Sequence, residues 1–211
     1  MEIRPIIESD LTSVAHVHML AFPSSGLTQL GIEAVRRYYL WQLTGPHDSL
    51  CIGAFDGVKM AGFCFAGVFR GAETGFLQNN ILFLIWHLVT HPTLLTRDII
   101  LDRVAYSVRA FRQLMRHNRK LAREGKLPTR SFGILSIAVN PECQGAGIGR
   151  LLMQNAELTA CKQGFGSMRL SVKPENHQAI IFYEKSGWQK IPAADGVWRG
   201  LMAKTLGDCH G

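Results

Sequence analysis

The sequence predicts an α/β fold, and three observations carry that prediction. Hydrophobic residues make up 47% and charged residues 18% of the 211 residues, a globular composition with enough apolar side chains for a core. In the second half, apolar runs of strand length alternate with segments of helical period. One such run, Phe132–Val139, passes through a glycine-rich turn straight into an amphipathic helix. The length fits a single domain over residues 1–211, with no internal repeat and no low-complexity segment.

Taken in order, Glu2–Ile7 alternates weakly and reads as a first strand. Ser9 and Asp10 then cap a helix bearing Leu11, Val14, Ala15 and Val17. Ala21–Gly31 is a loop, and Ile32–Leu43 is a second helix that ends at Gly45-Pro46. Leu50–Phe55 and Lys59–Phe69 flank the turn Asp56-Gly57, a hairpin signal. Gly62 and Gly67 in the second strand point to a bulge or a close backbone approach. Strands Phe132–Val139 and Met168–Val172, helices Ile148–Gln163 and Asn176–Ser186, and a terminal pair around Trp188–Ile191 and Trp198–Lys204 complete the chain.

Between the hairpin and Phe132 lies a segment of another character. Residues 76–125 read as helical: Phe76–Val89 is apolar on most faces, His91-Pro92 breaks it, and Thr96–Arg123 is amphipathic. Residues 103–130 hold nine Lys or Arg and one acid, so this stretch carries the whole of the +7 net charge. A solvated face is the simplest use of that charge. An anionic substrate or the surface of an anionic membrane is the alternative, and nucleic acid lacks supporting aromatic interleaving. The longest apolar run, Ile81–Val89, is nine residues against the roughly 20 that span a bilayer. The N-terminus has no apolar signal core, which with the scattered cysteines favours the cytoplasm, with a peripheral position on the inner membrane face left open. Those five cysteines (Cys51, Cys64, Cys143, Cys161, Cys209) are odd in number and share no ligand spacing, so neither a disulfide framework nor a metal site is expected.

The stretch Ile134–Arg150 carries the chemistry. A strand feeding a helix through Gly145-Ala146-Gly147-Ile148-Gly149 leaves free amides at a helix N-terminus, where the helix dipole favours an anion. The amides of Gln144–Arg150 are therefore expected to bind a pyrophosphate. A P-loop is excluded, because Gly-Lys-Ser/Thr is absent. A dinucleotide turn is disfavoured by the Gly145-x-Gly147-x-Gly149 spacing and by the lack of an acid after Val172.

Val139-x-Pro141-x-x-Gln144-x-x-Gly147-x-Gly149 resembles the acetyl-CoA turn of the GNAT acyltransferase superfamily. Asn176-x-x-Ala179-x-x-x-Tyr183-Glu-Lys185-x-Gly187-Trp188 resembles that family's second signature, with Trp where Phe is commoner. The resemblance implies a central mixed β-sheet with a splay between the two central strands, flanked by helices, to which segment 76–125 is an addition. It implies acetyl-CoA as cofactor, with the pantetheine arm pairing along Ile137, Ala138 and Val139. Gln144, Gly145, Ala146, Gly147, Ile148, Gly149 and Arg150 would hold the pyrophosphate, and Asn176 the arm. The Ala138 N–H would face the thioester carbonyl, and Tyr183 would protonate the departing thiolate. The acceptor amine would attack directly, and a small molecule such as an amino sugar or sugar nucleotide fits best. Protein N-termini, lysines, a catalytically silent CoA sensor and a homodimer stay open.

One departure stands out. The family often sets a carboxylate four residues before the valine, and here that residue is Leu135. Ser136 is the polar side chain on the strand. The general base is unassigned among Glu33, Glu73, Glu142, His16 and His18. His87 and His91 read as structural, Cys143 as a bystander, and Tyr183 taken alone would read as a core aromatic.

Overall fold

A computed structural model describes residues 1–91, 132–193 and 195–207. Its strands are β1 (Glu2–Pro5), β2 (Asp48–Asp56), β3 (Lys59–Val68), β4 (Phe132–Val139), β5 (Ser167–Ser171), β6 (Gln189–Lys190) and β7 (Leu201–Thr205). Its helices are α1 (Leu11–Ala21), α2 (Gly26–Gln29), α3 (Ile32–Thr44), α4 (Ala72–Asn79), α5 (Ile81–Thr90), α6 (Ile148–Lys162) and α7 (His177–Lys185). The strands form one mixed sheet in the order β1-β2-β3-β4-β5-β7-β6, so the expected α/β class and sheet are met.

The sheet separates two apolar clusters. On one side α1 and α3 bring Leu11, Val14, Ala15, Val35 and Tyr39 against Phe63, Phe65 and Ala138. On the other, α6 and α7 bring Leu152, Met153, Ala156 and Tyr183 against Phe132, Ile134 and Met168. Both glycines of β3 mark close approach. A Cβ on Gly67 would lie 2.3 Å from the Asp48 carbonyl oxygen, and one on Gly62 would lie 2.8 Å from that of Ala138.

Several local expectations are corrected. Asp10 precedes α1 but makes no side-chain cap. Its carboxylate instead accepts two bonds from Arg4, at 2.7 and 2.8 Å, and one from the Ile7 N–H, tying β1 to α1. The loop after Ala21 contains α2, whose first turn is capped by Ser25 Oγ accepting from Thr28 N–H at 3.0 Å. The apolar stretch from Phe76 is two helices that break at Asn80. Helix α5 buries Leu84 and exposes Leu82, Ile85, Trp86 and Val89. The basic stretch 103–130 lies outside the described residues. Cys161 is disulfide-bonded, a bond not anticipated from the sequence, while Cys51, Cys64 and Cys143 are free. Among the described residues no helix is long and apolar enough to cross a membrane, and no cluster of ligating side chains could hold a metal ion.

Candidate active site

The site is organised by how β4 meets its two neighbours. Along β5 it pairs in parallel over three positions only, Phe132 with Met168, Gly133 with Arg169 and Ile134 with Leu170. Beyond Ile134 that pairing stops, and β4 runs on to Val139 with that edge paired to no described strand. This is the splay that the motifs imply. Along β3 the pairing is continuous but slips by one residue at Phe65/Ala66, because Leu135 is an extra residue on β4. A bulge of this kind breaks the period-2 alternation of side chains. Leu135 and Ser136 therefore both face the α1/α3 cluster, with Ala138, while Ile137 and Val139 pack against the α6/α7 cluster.

The phase of the ladder decides which amides face the opening. The Asn140 N–H donates to the Ala61 carbonyl on β3 at 2.8 Å. Residues two apart on a strand turn their N–H and C=O to the same edge. Ala138 therefore points its N–H at β3, and the nearness of its carbonyl to Gly62 agrees. The expectation that the Ala138 N–H meets the thioester is corrected: Ile137 and Val139 present their N–H groups to the open side.

The turn beyond β4 keeps its backbone donors free. Gln144 N–H is used by the Pro141 carbonyl at 3.3 Å, and Leu151 N–H by that of Gly147 at 3.0 Å. The N–H groups of Gly145, Ala146, Gly147, Ile148, Gly149 and Arg150 donate to no described residue. Gln144 thus leaves the expected set of amide donors, and the other six remain. Gly145 (φ +84°) and Gly147 (φ +78°) take a left-handed backbone that L side chains disfavour. Ile148 is buried and anchors the helix, whereas the turn around it is exposed to solvent. The result is an open concavity of amides at the positive end of a 15-residue helix, suited to a diphosphate.

Tyr183 and Asn176 do not share a helix face as the spacing suggests. Asn176 stands ahead of α7 as its cap, its side-chain oxygen accepting from Ala179 N–H at 3.1 Å. Its amide NH2 makes no bond to a described residue and is left for a ligand. Tyr183 is buried in the α6/α7 cluster beside Phe182 and Trp188, and its hydroxyl is hydrogen-bonded to no described residue. Burial, with the nearby Cys64 thiol, pushes its phenol well above the usual range, so it stays protonated. Cys64, which shares the α6/α7 cluster with Tyr183, pairs with Ile137 on β4. Trp188 suits its place because Glu157 on α6 accepts its ring N–H at 3.3 Å, a bond Phe could not make.

The five base candidates separate. Glu33 is held by Arg36 and Arg37 at 2.9 and 2.7 Å, and Glu142 by Lys59 at 2.8 Å, so each carboxylate is stabilised and weakened as a base. His16 and Glu73 are exposed and make no recorded link to β4. His18 is buried and bonds to Tyr39, which bonds to Ser136 on β4. That connection has no signal in the sequence, since its members lie 21 and 97 residues apart.

Comparison with known proteins supports the motif reading. The family model "Acetyltransferase (GNAT) family" matches residues 111–188. An N-alpha-acetyltransferase of Mycobacterium tuberculosis is 34% identical over 71 residues, 34% of this chain and 43% of its own. A mycothiol acetyltransferase of Jonesia denitrificans is 33% identical over 60 residues, 28% of this chain and 19% of its own. The chain thus spans less than half the length of these relatives. Among solved structures, the PaiA N-acetyltransferase of Thermoplasma acidophilum in complex with coenzyme A matches with a TM-score of 0.57 and 15% identity, over 97% of this chain and 98% of that one. A ribosomal-protein-alanine N-acetyltransferase of Brucella melitensis matches with a TM-score of 0.57 and 15% identity, over 98% of this chain and all of that one. At such identities the likeness shows the fold, and it is the fold that the motifs imply. Residues 111–188 thus match the GNAT acetyltransferase family, and the fold around them is the one its solved structures share.

Proposed function

We propose that the chain is an acetyl-CoA-dependent N-acetyltransferase that passes the acetyl group directly to the amine of a small molecule, with an amino sugar or sugar nucleotide favoured. The observation that carries this is the edge of β4 that pairs with no described strand, leading into six amides that donate to no described residue. Diphosphate on the Gly145–Arg150 turn sends the pantetheine arm down the opening as an extra strand. Val139, nearer the turn, then serves an amide carbonyl of the arm. Ile137, two residues deeper, offers its N–H to the thioester carbonyl as that oxygen gains charge. The amine attacks the thioester carbon, the C–S bond breaks, Tyr183 gives its proton to the sulfur, and the proton lost by the nitrogen passes through solvent and restores the phenol. Acetyl-CoA makes the cytoplasm the site of action. The net positive charge residing in residues 103–130 suits an anionic acceptor, or a peripheral contact with an anionic membrane.

A second acceptor, the α-amine of a protein N-terminus, is favoured by the 34% identity to an N-alpha-acetyltransferase. Thermal unfolding with acetyl-CoA, CoA, NADH and ATP in turn tests the cofactor. Ligand at 100 times its Kd adds about 2.7 kcal/mol, a few degrees at this size. A shift with acetyl-CoA and CoA alone is expected, and a shift only with NADH or ATP contradicts the proposal. Thiol release in the presence of glucosamine, a UDP-linked amino sugar or a peptide with a free N-terminal alanine then separates the acceptors.

A further inference from the structure

We infer that Ser136 Oγ orients the acceptor amine, as a hydrogen-bond acceptor whose own hydrogen is turned away by Tyr39 and His18; this rests on the acetyl transfer proposed above. Five side chains form one string from β4 to the segment around α2. Ser136 Oγ lies 2.9 Å from Tyr39 Oη, Tyr39 Oη 2.9 Å from His18 Nδ1, and His18 Nε2 3.3 Å from Ser25 Oγ. Ser25 Oγ lies 2.9 Å from Thr28 Oγ1, which lies 2.8 Å from the Phe22 carbonyl oxygen.

The direction of every bond in the string follows from its far end. A carbonyl only accepts, so Thr28 donates to Phe22 and must accept from Ser25. Each hydroxyl has a single hydrogen, so Ser25 in turn accepts from His18, which places a hydrogen on Nε2. A neutral imidazole has one N–H, so Nδ1 is left to accept from the Tyr39 hydroxyl. Tyr39 therefore accepts from Ser136. The Ser136 oxygen is left with lone pairs only, on a half-buried residue beside Ile137, the proposed thioester-binding position. An amine N–H meets an acceptor there, and its nitrogen lone pair is turned away from Ser136 toward the carbon it attacks.

A charged His18 would reverse the string. Nδ1–H would donate to Tyr39, Tyr39 to Ser136, and Ser136 would present a hydrogen outward. The groups around the ring are Tyr39 from α3, Ser25 and the Phe22 ring, with no charged described residue contributing to its titration. Burial holds the imidazole down to about 4, so the string keeps its direction at neutral pH. For the same reason His18 is a poor final seat for the ammonium's proton. Its role, like that of Tyr39, is positioning.

Two substitutions at His18 separate direction from packing. His18→Asn shrinks the side chain but keeps an oxygen to accept from Tyr39. His18→Phe keeps an aromatic ring and removes the acceptor. The direction account expects His18→Asn to retain the larger kcat/KM for the amine, while His18→Phe, Tyr39→Phe and Ser136→Ala each lose tenfold or more. Acetyl-CoA Kd should stay within twofold in all four, which also shows that each is folded. Packing alone ranks Phe above Asn. Nitrogen NMR of the wild-type imidazole reads the string without any acceptor, and the Nε2–H form is expected. The Nδ1–H form, or His18→Phe equal to or better than His18→Asn, overturns the inference while wild-type turnover leaves the proposed function standing. Wild type that binds acetyl-CoA but acetylates none of glucosamine, the UDP-linked amino sugar and the alanine peptide instead overturns the proposed function, and this inference with it.

Discussion

The two faces of β4 are ordered by different means. Toward α6 and α7, Ile134, Ile137 and Val139 meet an apolar layer in which Tyr183, the proposed acid, packs beside Phe182 and Trp188. Toward α1 and α3, the same strand presents Ser136 to a string of directed hydrogen bonds. One extra residue, Leu135, creates the difference, because without the bulge Ser136 would fall on the other face. In the proposed transfer, a thioester lying along this edge would meet a proton donor for its leaving sulfur on one side. On the other it would meet an acceptor for its attacking amine. The opening in the sheet would supply the cofactor's place, and the bulge two chemically distinct approaches to it.

The comparison breaks most visibly at Tyr183. Tyr183→Phe keeps the packing of the apolar face and removes the proposed acid. A fall in kcat on the order of 10²–10⁴ with unchanged acetyl-CoA affinity is expected. Turnover within a few-fold of wild type would make that face purely structural.

The polar face has its own signature in pH. The folded pKa of His18 is lowered from 6.5 to about 4, so between these values the unfolded chain binds more protons. The stability involved is fully present above about pH 6.5 and is lost as pH falls toward 4, about 3 kcal/mol in all. Chemical denaturation of wild type and His18→Asn across that range should show the loss in wild type and its absence in the variant.

A smaller effect separates strain from binding at two glycines. Gly57 (φ +58°) and Gly147 (φ +78°) both have open space where a Cβ would stand. Alanine at either is expected to lower stability by about 1 kcal/mol through its backbone. Only Gly147→Ala should also weaken acetyl-CoA, by roughly tenfold, as read by calorimetry. Smallest is Trp188→Phe, which keeps the ring and gives up the bond to Glu157. A loss of about 1 kcal/mol is expected, a few degrees in melting temperature.

What could be read in the sequence was local. Gly145 and Gly147 announce their turn because the left-handed backbone there needs them, and the strand before and the helix after have different periods. The hairpin at Gly57 and the buried Trp188 follow for similar reasons. What could not be read depends on phase or on distance. Ile137 and Ala138 are indistinguishable as oxyanion donors until the partner of Asn140 fixes the ladder. Leu135 looks like an ordinary strand residue, and its bulge exists only in the pairing with β3. The Asn176 cap replaces a same-face relation that spacing suggested, because an Asn before a helix is drawn to its free amides. Tyr39 sits at a helical spacing that marks it simply as core, and nothing in the sequence joins His18, one base candidate of five, to Tyr39 and Ser136.

The central claim is that the opening beside β4 takes the pantetheine arm and the turn after it takes the diphosphate. Backbone amide NMR during an acetyl-CoA titration tests this directly. The largest shifts are predicted at Ile137, Val139 and the six amides Gly145–Arg150, saturating together at one equivalent. Saturable shifts that leave Ile137 and Val139 unmoved, or no saturable shift at all, would contradict it.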